Sequence, residues 1–295
     1  MTNNITVTQE EGHIQVAFTA MATSCYLLIE GEDITLHQEL IKHTINEVKR
    51  LEQKLSRYVP DSVCSEINVS NGNPVKIDSE VYNLFKYAKE LYEVSSGLFD
   101  ITSGALSRVW VFDEDDFVPP TQSEIDKVLP FIGREKLTVT PTEIILPAGM
   151  EIDFGAIGKE YAVSCIAKKA LTLSPKHSVL INLGGDIEIS QARSDGEKWT
   201  ISIERLDQEP QLVQLNKGAM ATCGDLYHFV IIDGERYSHI LNPKTGWPIK
   251  QSVSSVTVTA QTCIQAGSIV TLALLKGEDT ESFLSTQTGI RYVTL

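Results

Sequence analysis

The chain has 295 residues and a net charge of −14, with 42% hydrophobic and 22% charged residues, which is an ordinary composition for a globular protein. The acidic balance argues against nucleic-acid binding, because no basic stripe offsets it. The five cysteines are odd in number, widely spaced and without a Cys-x-x-Cys pair, so they indicate neither a disulfide framework nor a zinc knuckle.

The first twelve residues contain neither the basic segment nor the apolar segment of a signal peptide. No run of 18 apolar residues follows, so no membrane span is expected. Together with the unpaired cysteines, these features predict a cytoplasmic protein.

The first third of the chain alternates between strand and helix patterns. Residues 13–30 predict two strands around a turn, and the 3.6-residue spacing of apolar side chains over 35–58 predicts a long helix. A helical turn is expected at 65–68, and a second helix follows from Asp78 or Ser79 to about Ser95. Residues 98–104 then predict a buried loop that lines a site.

The middle of the chain contains shorter elements. Residues 113–116 are acidic; a weak cation site is one interpretation, and a solvated charge run is the other. Thr121 and Glu124 form a capping box for a helix over 122–129, and residues 136–147 predict a hairpin.

Residues 151–173 predict a strand that enters a helix. Gly155 and Gly158 allow close backbone approach at the helix N-terminus, where free N–H groups and the helix dipole favour an anion. A phosphate site is therefore a hypothesis here, although the Gly-x-x-Gly spacing alone does not decide it.

The last third predicts strands and one further helix. Residues 179–189 are interpreted as one strand. Gly184 and Gly185 lie in its middle, which suggests a bulge or a close backbone contact there. Further strands are expected near 199–204, 211–215, 255–260 and 292–295, and a helix is expected over 263–276.

The stretch from Ala219 to Pro248 organises the rest of the chain. His239 ends an alternating strand pattern, directly before a tight turn at Asn242-Pro-Lys-Thr-Gly246. Such a histidine either faces a ligand or is a buried structural residue, and the stretch alone leaves both alternatives open.

Several nucleotide and hydrolase motifs are missing from the sequence. No Gly-x-Gly-x-x-Gly, Walker lysine motif or Gly-x-Ser-x-Gly occurs. Glycine-containing turns, one histidine and scattered aspartates instead suggest a large cofactor held by the backbone.

Eight short motifs follow one another along the chain: Met21-Ala-Thr, Ser56-Arg-Tyr, Gly97-Leu-Phe-Asp100, Ile152-Asp-Phe-Gly-Ala-Ile-Gly-Lys159, Asn182-Leu-Gly-Gly-Asp186, Ala221-Thr-Cys-Gly-Asp225, Ser238-His-Ile-Leu-Asn-Pro-Lys-Thr-Gly246 and Ala266 to Thr271. From about residue 15 to 293, their order resembles that of the ApbE-type FAD:protein FMN transferases. The resemblance implies an α+β fold: a single compact unit over residues 1–295, of two interleaved lobes with mixed or antiparallel sheets and flanking helices, and with FAD in the cleft.

The resemblance also implies the reaction. Family members cleave the FAD pyrophosphate, transfer FMN to a Thr or Ser hydroxyl of an acceptor flavoprotein and release AMP, with Mg²⁺ assistance. Such phosphoryl transfer depends mainly on positioning and charge neutralisation.

By position, the resemblance assigns a role to each expected site residue. Met21 and Tyr58 contact the flavin or the adenine. Leu98, Phe99 and Asp100 line the FAD pocket, Asp153 hydrogen-bonds the adenosine, Lys159 approaches the phosphates and Ile240 lies against the cofactor. The Mg²⁺ ligands are the Ala156 and Val270 carbonyls and the Thr271 hydroxyl. His239 is the base or proton relay.

The chain departs from the family pattern at the expected metal site. The family commonly has Asp at the position of Gly267, so the only anionic protein ligand is lost, and FAD phosphates, Gln265 or Asp225 are candidate replacements. Glu160 stands where the family commonly has Gly, Ser164 where it often has Asp, and Cys223 where Ser is usual. We also expect Gly267→Asp to be tolerated, because Gly is the poorer helix former.

Two alternatives to FMN transfer stay open at this point. One is an FAD-binding protein that has lost the metal and the activity. The other is an FAD pyrophosphatase, in which water replaces the acceptor hydroxyl and the products are FMN and AMP.

Overall fold

A computed structural model describes residues 5–112, 117–205, 208–224, 229–232 and 235–295. The acidic residues 113–116 and Asp225 lie outside the described residues. The strands are β1 Thr6–Glu10, β2 His13–Ala20, β3 Thr23–Glu30, β4 Val75–Lys76, β5 Thr138–Val139, β6 Glu143–Ile145, β7 Val179–Leu183, β8 Asp186–Ile189, β9 Trp199–Ile203, β10 Gln211–Leu215, β11 Gly218–Gly224, β12 Phe229–Ile232, β13 Glu235–Ser238, β14 Ser255–Ala260 and β15 Arg291–Thr294. The helices are α1 Ile34–Leu55, α2 Val63–Asn68, α3 Ser79–Val94, α4 Gln122–Val128, α5 Gly155–Leu173, α6 Cys263–Leu274 and α7 Thr280–Ser285.

The main sheet has eight strands in the order β1-β2-β3-β7-β8-β11-β14-β15. Every neighbouring pair in it is antiparallel. In β2 the buried residues alternate with more exposed ones, because successive side chains point to opposite faces of the sheet. This pattern buries Ile14, Val16 and Phe18 in the largest hydrophobic core.

Helices α1, α5 and α6 pack beside one another and against the sheet. Eight residues of α5 and eight of α6 are buried, and most of them are small or apolar. The hairpin of β9 and β10 contributes to a second core, in which Trp199, Ile201 and Ile203 pack against Leu180 and Ile187. The α+β class predicted from the sequence is therefore confirmed.

A smaller core surrounds Trp110. Its buried members include Leu106, Ile125 and Ile132, and Tyr237 and Trp247 pack against it. The three-stranded sheet β4-β6-β5 lies outside the main sheet. The turn that follows His239 therefore has apolar support from a separate part of the chain.

Most predicted elements are confirmed, including both strands of 13–30, the long helix, the capped helix α3, the capping box at Thr121 and the hairpin of β5 and β6. The strand predicted at the start of 151–173 is absent; Glu151 makes only an isolated bridge with Ser103, and the helix begins at Gly155. Two hydrogen bonds hold the backbone there instead. Ile152 N–H donates to Asn68 Oδ1, and Asp153 N–H donates to the Ile101 carbonyl.

The single strand predicted over 179–189 is wrong, because the segment is a hairpin of β7 and β8. Gly184 and Gly185 form its turn with φ values of 67° and 97°. A two-residue turn with positive φ at both positions matches the twist of paired strands, and glycine takes it without a steric penalty. The Asn182 side chain accepts a hydrogen bond from Gly185 N–H at 2.8 Å, which stabilises the turn.

Candidate functional site

Two adjoining cavities lie at the N-terminal end of α5. One has a volume of about 430 Å³ and the other about 330 Å³. Asp153, Gly155 and Lys159 line both of them, so the two cavities meet at the start of the helix. This arrangement suits a ligand that extends from one cavity into the other.

The structure brings all the expected site residues to these cavities. Ten of them line the first cavity: Leu98, Phe99, Asp100, Asp153, Ala156, Lys159, His239, Ile240, Val270 and Thr271. The other two, Met21 and Tyr58, line the second cavity. The sequence positions are therefore close in space, and the roles of the residues remain predictions.

The second cavity lies beside the turn between β2 and β3 and the end of α1. Met21 has a φ of 50°, and its N–H donates to Glu52 Oε1 at 2.7 Å. Tyr58 has 85% of its surface exposed, so its ring is available for stacking against a planar ligand. The Arg57 guanidinium lies 5.9 Å from the centre of that ring.

Arg57 connects the second cavity to the loop that lines the first. It pairs with Glu151 at 2.5 Å and lies 3.5 Å from Asp153 Oδ2. The same guanidinium donates to the Gly104 carbonyl at 3.0 Å. Asp153 Oδ1 accepts from Gly155 N–H at 2.7 Å, so its carboxylate is held at the first turn of α5.

Asp100 fixes the loop of residues 98–104, which is buried as predicted. Its Oδ1 accepts from Thr102 N–H at 2.8 Å and from Thr102 Oγ1 at 2.6 Å. Its Oδ2 accepts from Arg134 N–H at 3.1 Å. Burial raises the pKa of Asp100 above its ordinary value, although these hydrogen bonds oppose the shift. The Asp100 side chain therefore lines the cavity and also fixes, through these hydrogen bonds, the backbone of the loop that forms its wall.

A charged cluster lies at the centre of the first cavity, formed by Lys159, Glu160 and Asp186. The Lys159 ammonium lies 3.4 Å from Asp186 Oδ2. Burial raises the pKa of both carboxyl groups. Burial works against the charge on Lys159, but Asp186 and Glu160 outweigh it and raise the pKa of the ammonium. Lys159 is thus a cation under neutral conditions.

Glu160 is a cavity residue that the sequence analysis did not assign to the site. It is 7% exposed, and its Oε2 has no hydrogen-bond partner within the described residues. A Cβ atom added at Gly267 would lie 2.5 Å from Glu160 Cγ and 2.9 Å from Oε1. The glutamate therefore fills the space that a side chain at 267 would occupy. The signal in the sequence was that both departures, Glu160 and Gly267, occur together.

The expectation that Gly267→Asp is tolerated changes for the same reason. The new side chain would collide with Glu160, which is itself buried, and would add a second carboxylate to an enclosed space. Helix propensity, on which the expectation depended, is a smaller effect than this overlap.

His239 lies one residue beyond β13 and is exposed, with its surface on the first cavity. His239 is therefore not buried, and its role in the reaction stays a prediction. The following turn is closed by a 2.8 Å hydrogen bond from Gly246 N–H to the Asn242 carbonyl, and Asn242 Oδ1 accepts from Lys244 N–H at 2.9 Å. These hydrogen bonds fix the turn that follows His239 and so restrict the position of its backbone.

We expect Gly246→Ala to destabilise the protein by about 1–3 kcal/mol more than Gly289→Ala does. Both glycines have a φ of 74° and so share the penalty for a left-handed alanine. A Cβ at Gly246 would lie 2.4 Å from Ile125 Cγ2, whereas nothing lies within 4 Å of one at Gly289. Urea unfolding of the two variants measures the difference, and equal losses would contradict it.

Within the described ranges, no group of three or more His, Cys, Asp and Glu side chains is arranged to hold a metal ion. No helix in the described part of the chain is long and apolar enough to cross a membrane. All five cysteines are unpaired.

Comparisons with known proteins agree with this geometry. The sequence model of the ApbE family matches residues 17–294. The FAD:protein FMN transferase of Vibrio cholerae serotype O1 is 29% identical over 79% of this chain and 72% of its own length, and that of Haemophilus influenzae is 26% identical over 90% of this chain and 81% of its own. The crystal structure of the ApbE protein from Thermotoga maritima superposes with a TM-score of 0.86 at 27% identity, covering 96% of this chain and 94% of that one. The chain belongs to the ApbE family.

Proposed function

We propose that this protein transfers FMN from FAD to a Thr or Ser hydroxyl of an acceptor flavoprotein and releases AMP. The observation that carries the proposal is the meeting of the two cavities at Lys159 and the first turn of α5. The relatives named above carry the same activity in their names. The family match over 17–294 also supports treating the chain as one functional unit.

The proposed site divides FAD between its two cavities. The phosphates lie near Lys159 and the N-terminus of α5, where a cation and the helix dipole favour an anion. Tyr58 and Met21 contact one ring system, while Leu98, Phe99 and Ile240 supply apolar surface to the cofactor. Asp153 hydrogen-bonds the adenosine.

His239 acts on the acceptor side of the reaction. The acceptor hydroxyl oxygen forms a bond to the FMN phosphorus, and the bond from that phosphorus to the bridging pyrophosphate oxygen breaks. AMP leaves with the bridging oxygen, and His239 receives or relays the hydroxyl proton. Its exposed position gives a protein-bound hydroxyl access to the imidazole.

The residues of the first cavity fit a Mg²⁺ ion. The carbonyls of Ala156 and Val270 and the hydroxyl of Thr271 would hold it, since hard cations take oxygen ligands. The unpartnered Glu160 Oε2 on the same cavity supports a cation there. When bound, the ion would neutralise charge on the pyrophosphate.

A product assay separates the proposal from its two alternatives. The protein is incubated with FAD, Mg²⁺ and a peptide that carries an acceptor Thr, and AMP, FMN and flavinylated peptide are quantified. We expect equal amounts of AMP and flavinylated peptide. AMP with free FMN would instead establish a pyrophosphatase, and quenched flavin fluorescence without products would establish a binding protein.

We expect Lys159→Ala to weaken FAD binding by about 10–100-fold and riboflavin binding much less, because riboflavin has no phosphate for the ammonium to contact. Lys168→Ala is the matched control, as Lys168 lies exposed on the same helix outside both cavities. Fluorescence titration measures both affinities. Equal losses for the two ligands would place the phosphates elsewhere.

The acceptor protein and a cytoplasmic location stay predictions. The unpaired cysteines support a reducing compartment. Fractionation of cells that produce the protein checks the location.

A further inference from the structure

Glu160 is a buried carboxylate whose surroundings do not satisfy it. The residue is 7% exposed, and its Oε2 has no hydrogen-bond partner within the described residues. An enclosed carboxylate oxygen is unfavourable unless it is paired, hydrogen-bonded or bound to a metal. The cavity that the side chain lines offers space for such a partner.

Neighbouring groups indicate what that occupant is. Ala156 and Thr271 line the same cavity, and their carbonyl and hydroxyl oxygens are candidate ligands. A carboxylate among neutral oxygens is a donor set for a hard divalent cation. The Lys159 ammonium pairs with Asp186 at 3.4 Å. Burial raises the pKa of Glu160 and the Lys159 charge lowers it, but within the described residues no ion pair joins the two side chains.

The packing of α5 against α6 explains how the carboxylate arrives there. A Cβ at Gly267 would lie 2.5 Å from Glu160 Cγ, so the glutamate side chain crosses from α5 into space beside α6. Glycine at 267 is thus required by the glutamate at 160. A side chain at 267 and the Glu160 side chain exclude each other, so only one of the two helices can carry a carboxylate here.

We propose that Glu160 is the anionic protein ligand of a divalent cation in the first cavity, in place of the carboxylate that Gly267 lacks. The cation itself belongs to the proposed function, whereas the assignment of Glu160 does not follow from it. This chain has glutamate on α5 and glycine at 267 on α6, where the family commonly has glycine and aspartate. We call this a reciprocal exchange, because it moves the carboxylate from one packed helix to the other and keeps it at the site.

The test measures binding of Mn²⁺, as a probe for Mg²⁺, by the electron paramagnetic resonance signal of the free ion, with and without FAD. We expect Glu160→Gln to weaken Mn²⁺ binding by at least the roughly 10–100-fold that loss of an outer partner of a metal site costs. Its melting temperature without metal should change little, because the replacement breaks no hydrogen bond of Glu160 Oε2 within the described residues. Glu188→Gln is the control, since that half-buried carboxylate already accepts hydrogen bonds from Ser164 Oγ and Cys263 N–H, both at 2.7 Å.

The reciprocal exchange gives a second, independent variant. Glu160→Gly combined with Gly267→Asp removes the collision and mounts the carboxylate on α6, so we expect Mn²⁺ affinity to return to within a few-fold of the original. Gly267→Asp alone should instead lower the melting temperature.

Different failures have different meanings. Unchanged Mn²⁺ affinity in Glu160→Gln, or loss of affinity only in Asp186→Asn, would overturn the assignment of Glu160 while FMN transfer by the original protein stayed intact. Absence of both Mn²⁺ binding and transfer in the original protein, with FAD bound, would overturn the proposed function as well.

Discussion

Replacing His239 with Ala is expected to slow FMN transfer by about 10²–10⁴-fold, the usual contribution of a positioned proton-transfer group. FAD affinity and the melting temperature should change little, because the side chain is exposed and follows the end of β13. The rate is measured under single-turnover conditions with FAD saturating, so that binding does not enter the comparison.

His43→Ala is the matched control for this prediction. His43 lies on α1 and lines neither cavity, so the variant should transfer FMN at the original rate. A loss of folding stability in His239→Ala with no separate loss of rate would return His239 to a structural role. An equal loss of FAD affinity and rate would make it a binding residue instead.

Replacing Asp100 with Ala is expected to destabilise the fold by on the order of 3–5 kcal/mol. The change removes three hydrogen bonds and leaves the N–H groups of Thr102 and Arg134 without an acceptor. Thr102 is fully buried, so water does not replace the lost acceptor at low cost. Urea unfolding without FAD measures this effect apart from any ligand contribution.

Asp100→Asn separates the structural role of this residue from its charge. The amide oxygen keeps one acceptor for Thr102, while the amide nitrogen faces Arg134 N–H as a second donor. We therefore expect the free energy of unfolding of Asp100→Asn to lie between that of the original protein and that of Asp100→Ala. Original stability in Asp100→Ala, with FAD affinity lost, would show that the carboxylate serves the ligand alone.

The elements with strong local signals were predicted well from the sequence. The long helix α1 shows sustained 3.6-residue periodicity, and α3 is capped by Asp78, whose side chain accepts from Val81 N–H. These features depend on residues near one another in the chain. Periodicity and capping are therefore sufficient to predict them.

The hairpin of β7 and β8 could not be separated from one bulged strand by the pattern alone. Both arms are buried on both faces at most positions, so apolar residues run through the segment without a change of period. Gly184 and Gly185 fit a bulge as well as a turn. Only pairing with β3 and β11 on either side decides between them, and that pairing is a tertiary property.

The sequence predicted which positions lie close together, but not how their side chains contact one another. The resemblance placed twelve positions at one ligand, and all twelve line the two joined cavities. The contact of Glu160 with the space beside Gly267 was not predicted, because residues 107 positions apart on different helices give no local signal. Asp100 likewise appeared as a pocket residue, whereas its bonds to Arg134 depend on the fold.

The intact mass of a candidate acceptor flavoprotein, after incubation with this protein, FAD and Mg²⁺, tests the central claim most directly. We predict that the acceptor gains the mass of one FMN, that an equal amount of AMP appears, and that replacing the acceptor Thr or Ser with Ala abolishes the gain. An unmodified acceptor accompanied by AMP and free FMN would contradict the account.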